Sequence, residues 1–181
     1  MLDVPNYRVT DEIELHPVEL AHAEARFQLV NANRQHLRQW MAWVDGVRDV
    51  ADAEAVIQQN MEQRRNDVAY QLGIWSKGRL CGAIGLHAID WSNRLVSLGY
   101  WLDAAHQGRG IMTASCRAVV DHAFNELQLH RVIIRCAVDN RRSRAIPERL
   151  GFELEGILRE AEWLYDHFVD LASYARLRHD P

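Results

Sequence analysis

The sequence predicts an α/β fold (α+β in stricter usage), a mixed, mostly antiparallel central sheet flanked by helices on both faces. Three observations carry this. Alternating apolar segments follow one another between residues 70 and 102 with turn signals between them, the pattern of an antiparallel meander. A glycine-containing loop then opens a long helix with a single apolar stripe. Further on, Val132–Val138 is a β-branched run, as expected of a buried strand.

In chain order, Ile13–His16 alternates and reads as an edge strand before Pro17. Val18–Val30 reads as a helix. Arg34–Trp43 reads as a second helix, with Leu37, Trp40, Met41 and Val44 at spacings of three and four. Asp52–Arg65 reads as a third, with Ala55, Val56 and Met61 facing inward. Tyr70–Trp75 and Leu80–Ile89 alternate on either side of Ser76-Lys77-Gly78, a hairpin signal. Asp90-Trp91-Ser92-Asn93 turns the chain into Leu95–Leu102. After the polar loop Asp103–Arg109, a helix from about Gly110 to Leu127 lines up Met112, Cys116, Val119, Val120, Ala123, Phe124 and Leu127. Val132–Val138 follows, then a loop at Asp139–Ser143 and a short helix, Arg144–Leu150, stopped by Gly151. Phe152–Arg159 and Phe168–Leu177 close the chain as two strands. The order is β-ααα-βββ-α-β-α-ββ.

Composition narrows the function classes. The 181 residues are 48% hydrophobic and show no repeat or linker, which predicts one domain over residues 1–181. A net charge of −4 argues against general polyanion binding, so no direct nucleic-acid contact is expected. Cys81, Cys116 and Cys136 are an odd number, far apart, with no CxxC. A disulfide framework is not expected, and a reducing, cytoplasmic setting is. The opening residues lack the pattern of a secretory signal, and no stretch approaches the ~20 apolar residues that span a bilayer. No membrane partner is therefore expected. The nine histidines form no HExxH and no close cluster, so no metal is expected. No GxSxG elbow is present and no cysteine has a catalytic context, which disfavours a covalent acyl-enzyme.

The most informative segment is strand, glycine loop and helix start: Leu98-Gly99-Tyr100-Trp101-Leu102, then His106-Gln107-Gly108-Arg109-Gly110-Ile111-Met112. Glycines let successive backbone N–H groups converge, and the helix dipole adds positive potential there, which suits a phosphate or pyrophosphate. The P-loop pattern is absent. The dinucleotide fingerprint fails because Thr113 stands where its third glycine belongs, and the preceding strand lies in a meander rather than a βαβ unit. A second segment, Asn140 to Phe152, ends a strand in Asn, places Ser143 three residues on, and runs through a helix to Gly151-Phe152.

Together these two segments, with the meander ahead of them, resemble the GNAT superfamily of N-acetyltransferases. Gly-Tyr-Trp-Leu, His-Gln-Gly-Arg-Gly-Ile-Met, Asn-x-x-Ser-x-Ala-Ile-Pro-x-x-Leu-Gly-Phe and Gly-x-Leu-Arg-x-Ala-Glu are similar to its ribosomal-protein N-terminal acetyltransferase branch, and to the serine-specific type within it. The resemblance spans about Thr10 to Leu177. It implies a GNAT-like sheet, acetyl-coenzyme A as cofactor, and the α-amine at the N-terminus of a ribosomal protein as acceptor. Homodimers occur in that branch.

The resemblance also assigns residues. Gln107, Gly108, Gly110 and Ile111 would hold the pyrophosphate, with Arg109 near a phosphate. Met112 stands where the superfamily has a third small residue. Leu98, Gly99, Tyr100 and Trp101 would pair their backbone with the pantetheine arm, as an added strand pairs with a sheet edge. Asn140 would hydrogen-bond the coenzyme, and Ser143 would give a proton to the departing thiolate. Many members carry a tyrosine acid seven residues after that Asn; here the position is Pro147, which has no proton to give. Glu162 falls where the branch has its base. Trp40, Met41 and Trp43 would shape the acceptor groove, and Tyr165 and His167 would wall it from the last loop.

Each assignment has a structural counterpart in the sequence. Tyr100, Trp101 and the early tryptophans also read as core aromatics, Asn140 as a turn residue, Ser143 as a helix cap, and Glu162 as a solvated strand-end charge. Glu160 would point the same way as Glu162 if both lie on one strand. Two other functions stay open: acetylation of a small amine such as a polyamine or an antibiotic, and coenzyme binding without catalysis.

Overall fold

A computed structural model describes residue 4 and residues 6–180. Strands β1 (Tyr7–Arg8), β2 (Ile13–Pro17), β3 (Tyr70–Ser76), β4 (Arg79–Asp90), β5 (Leu95–Leu102), β6 (Arg131–Ala137), β7 (Glu153–Leu164) and β8 (His167–Leu177) form one sheet. Its order is β1-β2-β3-β4-β5-β6-β8-β7, and every pairing is antiparallel except β5 with β6. The helices are α1 (Ala23–Ala32), α2 (Arg34–Leu37), α3 (Val50–Arg65), α4 (Ile111–Asn125) and α5 (Arg141–Arg149).

Alternation along the strands divides the core. Ile84 and Leu98 pack on one face with Cys116, Val119, Val120 and Ala123 of α4. Ala83 and Trp101, their neighbours in register on the opposite face, pack with Val30, Leu37 and Ala53. The β3–β4 hairpin turns through Lys77 and Gly78, both at positive φ, the pairing that matches strand twist in a two-residue turn.

Several expectations need correction. The predicted helix at Arg34–Trp43 stops after Leu37, and a 3-10 turn occupies Ala42–Gly46. Arg34 is the cause: its guanidinium donates to the carbonyls of Val44 and Val47 and folds this segment back. The first helix begins at Ala23 rather than Val18. The third turns Ala53 and Ile57 inward, leaving Ala55 and Met61 exposed. The short late helix begins at Arg141, because Asn140 rather than Ser143 caps it. The penultimate strand runs to Leu164 instead of Arg159, carried past a bulge between Leu158 and Glu162.

Candidate active site

The site begins where the sheet opens. Strand β5 stays paired with β4 from Leu95 to Leu102, but with β6 only from Leu95 to Ser97. Beyond Ser97 the two strands part. The β6-facing N–H and C=O groups of Leu98–Trp101 are therefore left without a ladder partner, an edge that accepts an extended chain. Two cavities meet at this split. One, of about 550 Å³, is lined by Leu98, Gly99, Trp43 and Glu162 among others. The other, of about 1150 Å³, reaches the glycine loop. Trp40, Met41, Tyr100, Trp101, Asn140 and Ser143 line both.

The larger cavity is a groove over the start of α4. Gly108 and Gly110 have φ near +74° and +75°, a left-handed geometry that costs other residues ~1–2 kcal/mol. Gly110 is the N-cap of α4 and supplies no side-chain bond, so the first N–H groups of the helix remain available. Gly108, Gly110, Ile111 and Met112 all line the groove, and so does Gln107. Gln107 is committed to protein partners as well: its Nε2 donates to His36 Nε2 at 2.8 Å, and its Oε1 accepts from Arg142 Nη1 at 2.8 Å. It is a strut across the groove.

At the junction, Asn140 Oδ1 accepts from the Ser143 backbone N–H at 3.1 Å and so caps α5. That frees the Ser143 hydroxyl, which donates to the Tyr100 phenol oxygen at 3.3 Å. The phenol in turn donates to the Ser143 carbonyl at 3.1 Å. Burial holds the Tyr100 phenol well above its ordinary range, so the proton stays on it at neutral pH. Arg144 anchors this helix start by donating to the Val138 carbonyl at 3.1 Å and to Tyr174 Oη at 2.9 Å.

Glu162 faces the smaller cavity from β7. The bulge separates it from Glu160, whose φ is +48° and whose backbone N–H donates to Asp170 Oδ1 at 2.8 Å. The two glutamates do not share a face: Glu160 is exposed, whereas Glu162 is half-buried. Burial raises the Glu162 carboxyl above 4.5. His87 lines the same cavity, and burial lowers its imidazole, keeping it neutral. A Cβ on Gly99 would sit 3.2 Å from the His87 ring, so the glycine lets β5 and that ring lie close together. The Cys136 thiol also lines the cavity; burial pushes it up, and it stays protonated.

The family model of the acetyltransferase (GNAT) domain matches residues 12–153. This chain belongs to the GNAT acetyltransferases. It is 34% identical to the ribosomal-protein-serine acetyltransferase of Escherichia coli (strain K12), over 94% of this chain and 95% of that protein. Among solved structures it is similar to RimL, a ribosomal alpha-N-protein acetyltransferase in complex with coenzyme A. The TM-score is 0.92, with 31% identity over 96% of this chain and 98% of the other. It is also similar to a microcin self-immunity acetyltransferase in complex with acetyl-CoA and AMP, at a TM-score of 0.90 and 34% identity over 94% of each chain. The protein is thus an acetyl-CoA-dependent N-acetyltransferase of the GNAT kind, close to the ribosomal-protein acetyltransferases.

The residues present fit that cosubstrate. The split of β5 from β6 offers ladder groups to an amide-containing arm, and the left-handed glycines with the uncapped start of α4 offer N–H groups to phosphates. Bound there, acetyl-CoA supplies an activated acyl group for transfer. The GNAT chain places three predicted residues elsewhere. Arg109 is exposed and lies outside the lining of the groove. His167 is the first residue of β8, exposed and paired with Asp166 at 2.7 Å, and lines neither cavity. Tyr165 lines neither cavity; it donates to the carbonyl of Met41, a residue lining both, at 2.7 Å and carries Arg38 3.9 Å above its ring. In compensation, Arg117, Arg141, Arg142 and Arg149 line the groove, and His87 and Arg26 the smaller cavity. The arginine pair after Asn140 carried a legible signal, two cations at a helix start beside a phosphate loop. His87 and Arg26 sit far away in sequence and carried none.

Proposed function

We propose that this acetyltransferase acts on the N-terminal α-amine of a ribosomal protein in the cytoplasm, by direct attack in a ternary complex. The observation that carries the reading is the shared cavity. Glu162 and Ser143 line one space of about 550 Å³, and that space meets the coenzyme groove at Tyr100 and Ser143. A candidate proton acceptor and a candidate proton donor thus line the cavity that adjoins the groove.

Glu162 takes a proton from the acceptor ammonium, directly or through one water. At pH 7 an α-amine of pKa about 8 is roughly 10% neutral, against roughly 0.04% for a lysine, so a modest base suffices. The unpaired N–H groups of β5 beyond Ser97 would polarise the thioester carbonyl of bound acetyl-CoA. Ser143 would give its proton to the departing thiolate; the Tyr100 phenol, which accepts from that hydroxyl and donates to the Ser143 carbonyl, holds it in place and keeps its own proton. Asn140 positions the start of α5 rather than acting on the acyl group. Trp40, Met41 and Trp43 shape the acceptor cavity.

The working form is a homodimer through β7. This edge strand is paired only with β8, and β7 and β8 expose Leu154, Ile157, Leu158, Trp163 (51%) and Phe168 (56%). A long apolar edge of this kind is ordinarily covered.

Thiol release and mass spectrometry on a panel of N-terminal peptides and polyamines test the reading. Acetylation of a Ser-initiated peptide at its α-amine is the expected result. Turnover of polyamines alone overturns the acceptor. Tight coenzyme binding with no turnover on any amine overturns the enzyme reading of the site. A small amine is the second reading, since one similar structure, a microcin self-immunity acetyltransferase in complex with acetyl-CoA and AMP, is not named for a ribosomal protein, and the same panel separates the two.

A further inference from the structure

The acceptor cavity contains a buried cation that the proton transfers above do not use. Arg26, on α1, is only 3% exposed and lines the cavity. Among the described residues no carboxylate pairs with it, and burial alone acts on its guanidinium, lowering it to about 10. It is still a cation at neutral pH. Its Nη1 donates to Gln71 Oε1 at 3.2 Å, while its Nε is buried without a partner. Its Cζ stands 5.9 Å from the Trp101 ring centroid.

Gln71 completes the arrangement. Its Oε1 also accepts from Asn60 Nδ2 at 3.0 Å. Two donors on one oxygen set the orientation of the amide, so the Gln71 N–H₂ group is left free, in a residue that lines the same cavity. The guanidinium and the amide N–H₂ are donors only. Isolating a cation from water without a counter-ion is costly. A planar guanidinium with most of its donors unspent matches a carboxylate or phosphate in geometry and in charge. A polycation entering the same space meets repulsion.

We infer that Arg26, with Gln71, is a specificity site for an oxyanion carried by the acceptor itself, a carboxylate or phosphate within short reach of the reacting amine. The inference rests on the acceptor reading proposed above. For a peptide, the oxyanion is an Asp or Glu side chain in the first few residues. For a small amine, it is a phosphate or carboxylate on the same molecule. One acceptor then meets an opposite charge twice in one cavity, its ammonium at Glu162 and its oxyanion at Arg26.

The test is a set of Ser-initiated peptides that carry Asp, or its isostere Asn, at the second, third or fourth position in turn. Phosphoethanolamine and ethanolamine form a small-amine pair. Wild type, Arg26→Gln and Arg26→Lys are assayed, with melting temperature as the folding control. Wild type is expected to favour one Asp peptide over its Asn partner by about tenfold or more in kcat/KM, chiefly through KM. Arg26→Gln collapses that ratio towards one, and Arg26→Lys retains part of it. If the Asp and Asn peptides turn over equally at every position, the Arg26 assignment is overturned while the peptide acceptor stands. If no peptide is acetylated but phosphoethanolamine is preferred to ethanolamine, the peptide acceptor falls and the oxyanion site stands. Should Arg26→Gln fail to fold, Arg26→Lys and Arg135→Gln decide, since Arg135 also lines the cavity: an Asp preference unchanged in Arg26→Lys and lost in Arg135→Gln overturns the assignment.

Discussion

Glu162→Gln removes a carboxylate and keeps its shape, and the site sets how the loss depends on pH. In wild type the carboxylate takes the proton inside the complex, so the whole ammonium population is reactive. The variant uses only amine that arrives neutral. For an α-amine of pKa about 8 that fraction is roughly 1% at pH 6, 10% at pH 7 and 90% at pH 9. The expected loss in kcat/KM is therefore about a hundredfold at pH 6, about tenfold at pH 7, and close to none at pH 9. Burial holds the Glu162 carboxyl above 4.5, so the wild-type profile turns down on the acid side earlier than an exposed glutamate would make it. The same burial acts on stability. The folded pKa lies above the unfolded one, so the ionised carboxylate opposes folding at pH values above its folded pKa, and that cost fades as pH falls through the folded pKa towards the unfolded value. Glu162→Gln is thus at least as stable as wild type at pH 7, with the advantage closing towards pH 4.5. Initial rates of thiol release between pH 6 and 9 with a Ser-initiated peptide, beside thermal melts, measure both. A loss of equal size at every pH would refute the proton-transfer argument, and undiminished turnover at pH 7 would remove Glu162 from the chemistry.

Asn140→Ala removes the α5 cap and costs about 1 kcal/mol, a drop of about 3 °C in Tm, whereas Ser143→Ala leaves the cap in place and lowers kcat instead; calorimetry with steady-state kinetics separates them, and the reverse pattern would return Ser143 to a capping role. Tyr100→Phe removes the oxygen that holds the Ser143 hydroxyl and lowers kcat with little change in KM for the peptide; an unchanged kcat means the phenol only packs. Gly110→Ala forces a Cβ into a left-handed conformation, costing about 1 kcal/mol, and disturbs the N–H groups at the start of α4. Titration calorimetry should show weaker acetyl-CoA binding, and an unaltered Kd would mean the loop does not hold the coenzyme. Trp163→Glu with Phe168→Glu places charge on the exposed apolar edge and should convert a dimer to a monomer in light scattering; a wild-type monomer would refute the interface.

Periodicity made most of the fold legible. The alternating meander, the stripe on α4 and the β-branched β6 are local patterns, and each formed within a few residues of its expected place. The departures arose where a distant contact outweighed local preference. Arg34 ends the expected second helix by reaching the carbonyls of Val44 and Val47, and the β7 bulge turns Glu160 out while Glu162 faces the cavity. The glycine loop was readable because left-handed backbone demands glycine at Gly108 and Gly110 whatever surrounds them.

The sequence by itself therefore determined the elements, the family motifs and the residue types that the chemistry requires, because these depend on neighbours along the chain. Only the tertiary structure decided that β5 parts from β6 after Ser97, that Asn140 caps the helix and so releases Ser143 to Tyr100, and that Arg26 stands unpaired beside Gln71. The strand split, the Ser143–Tyr100 contact and the Arg26–Gln71 contact join positions tens of residues apart, whereas the Asn140 cap is local. Burial and pairing are properties of what packs around a group, and no local pattern in the chain records them.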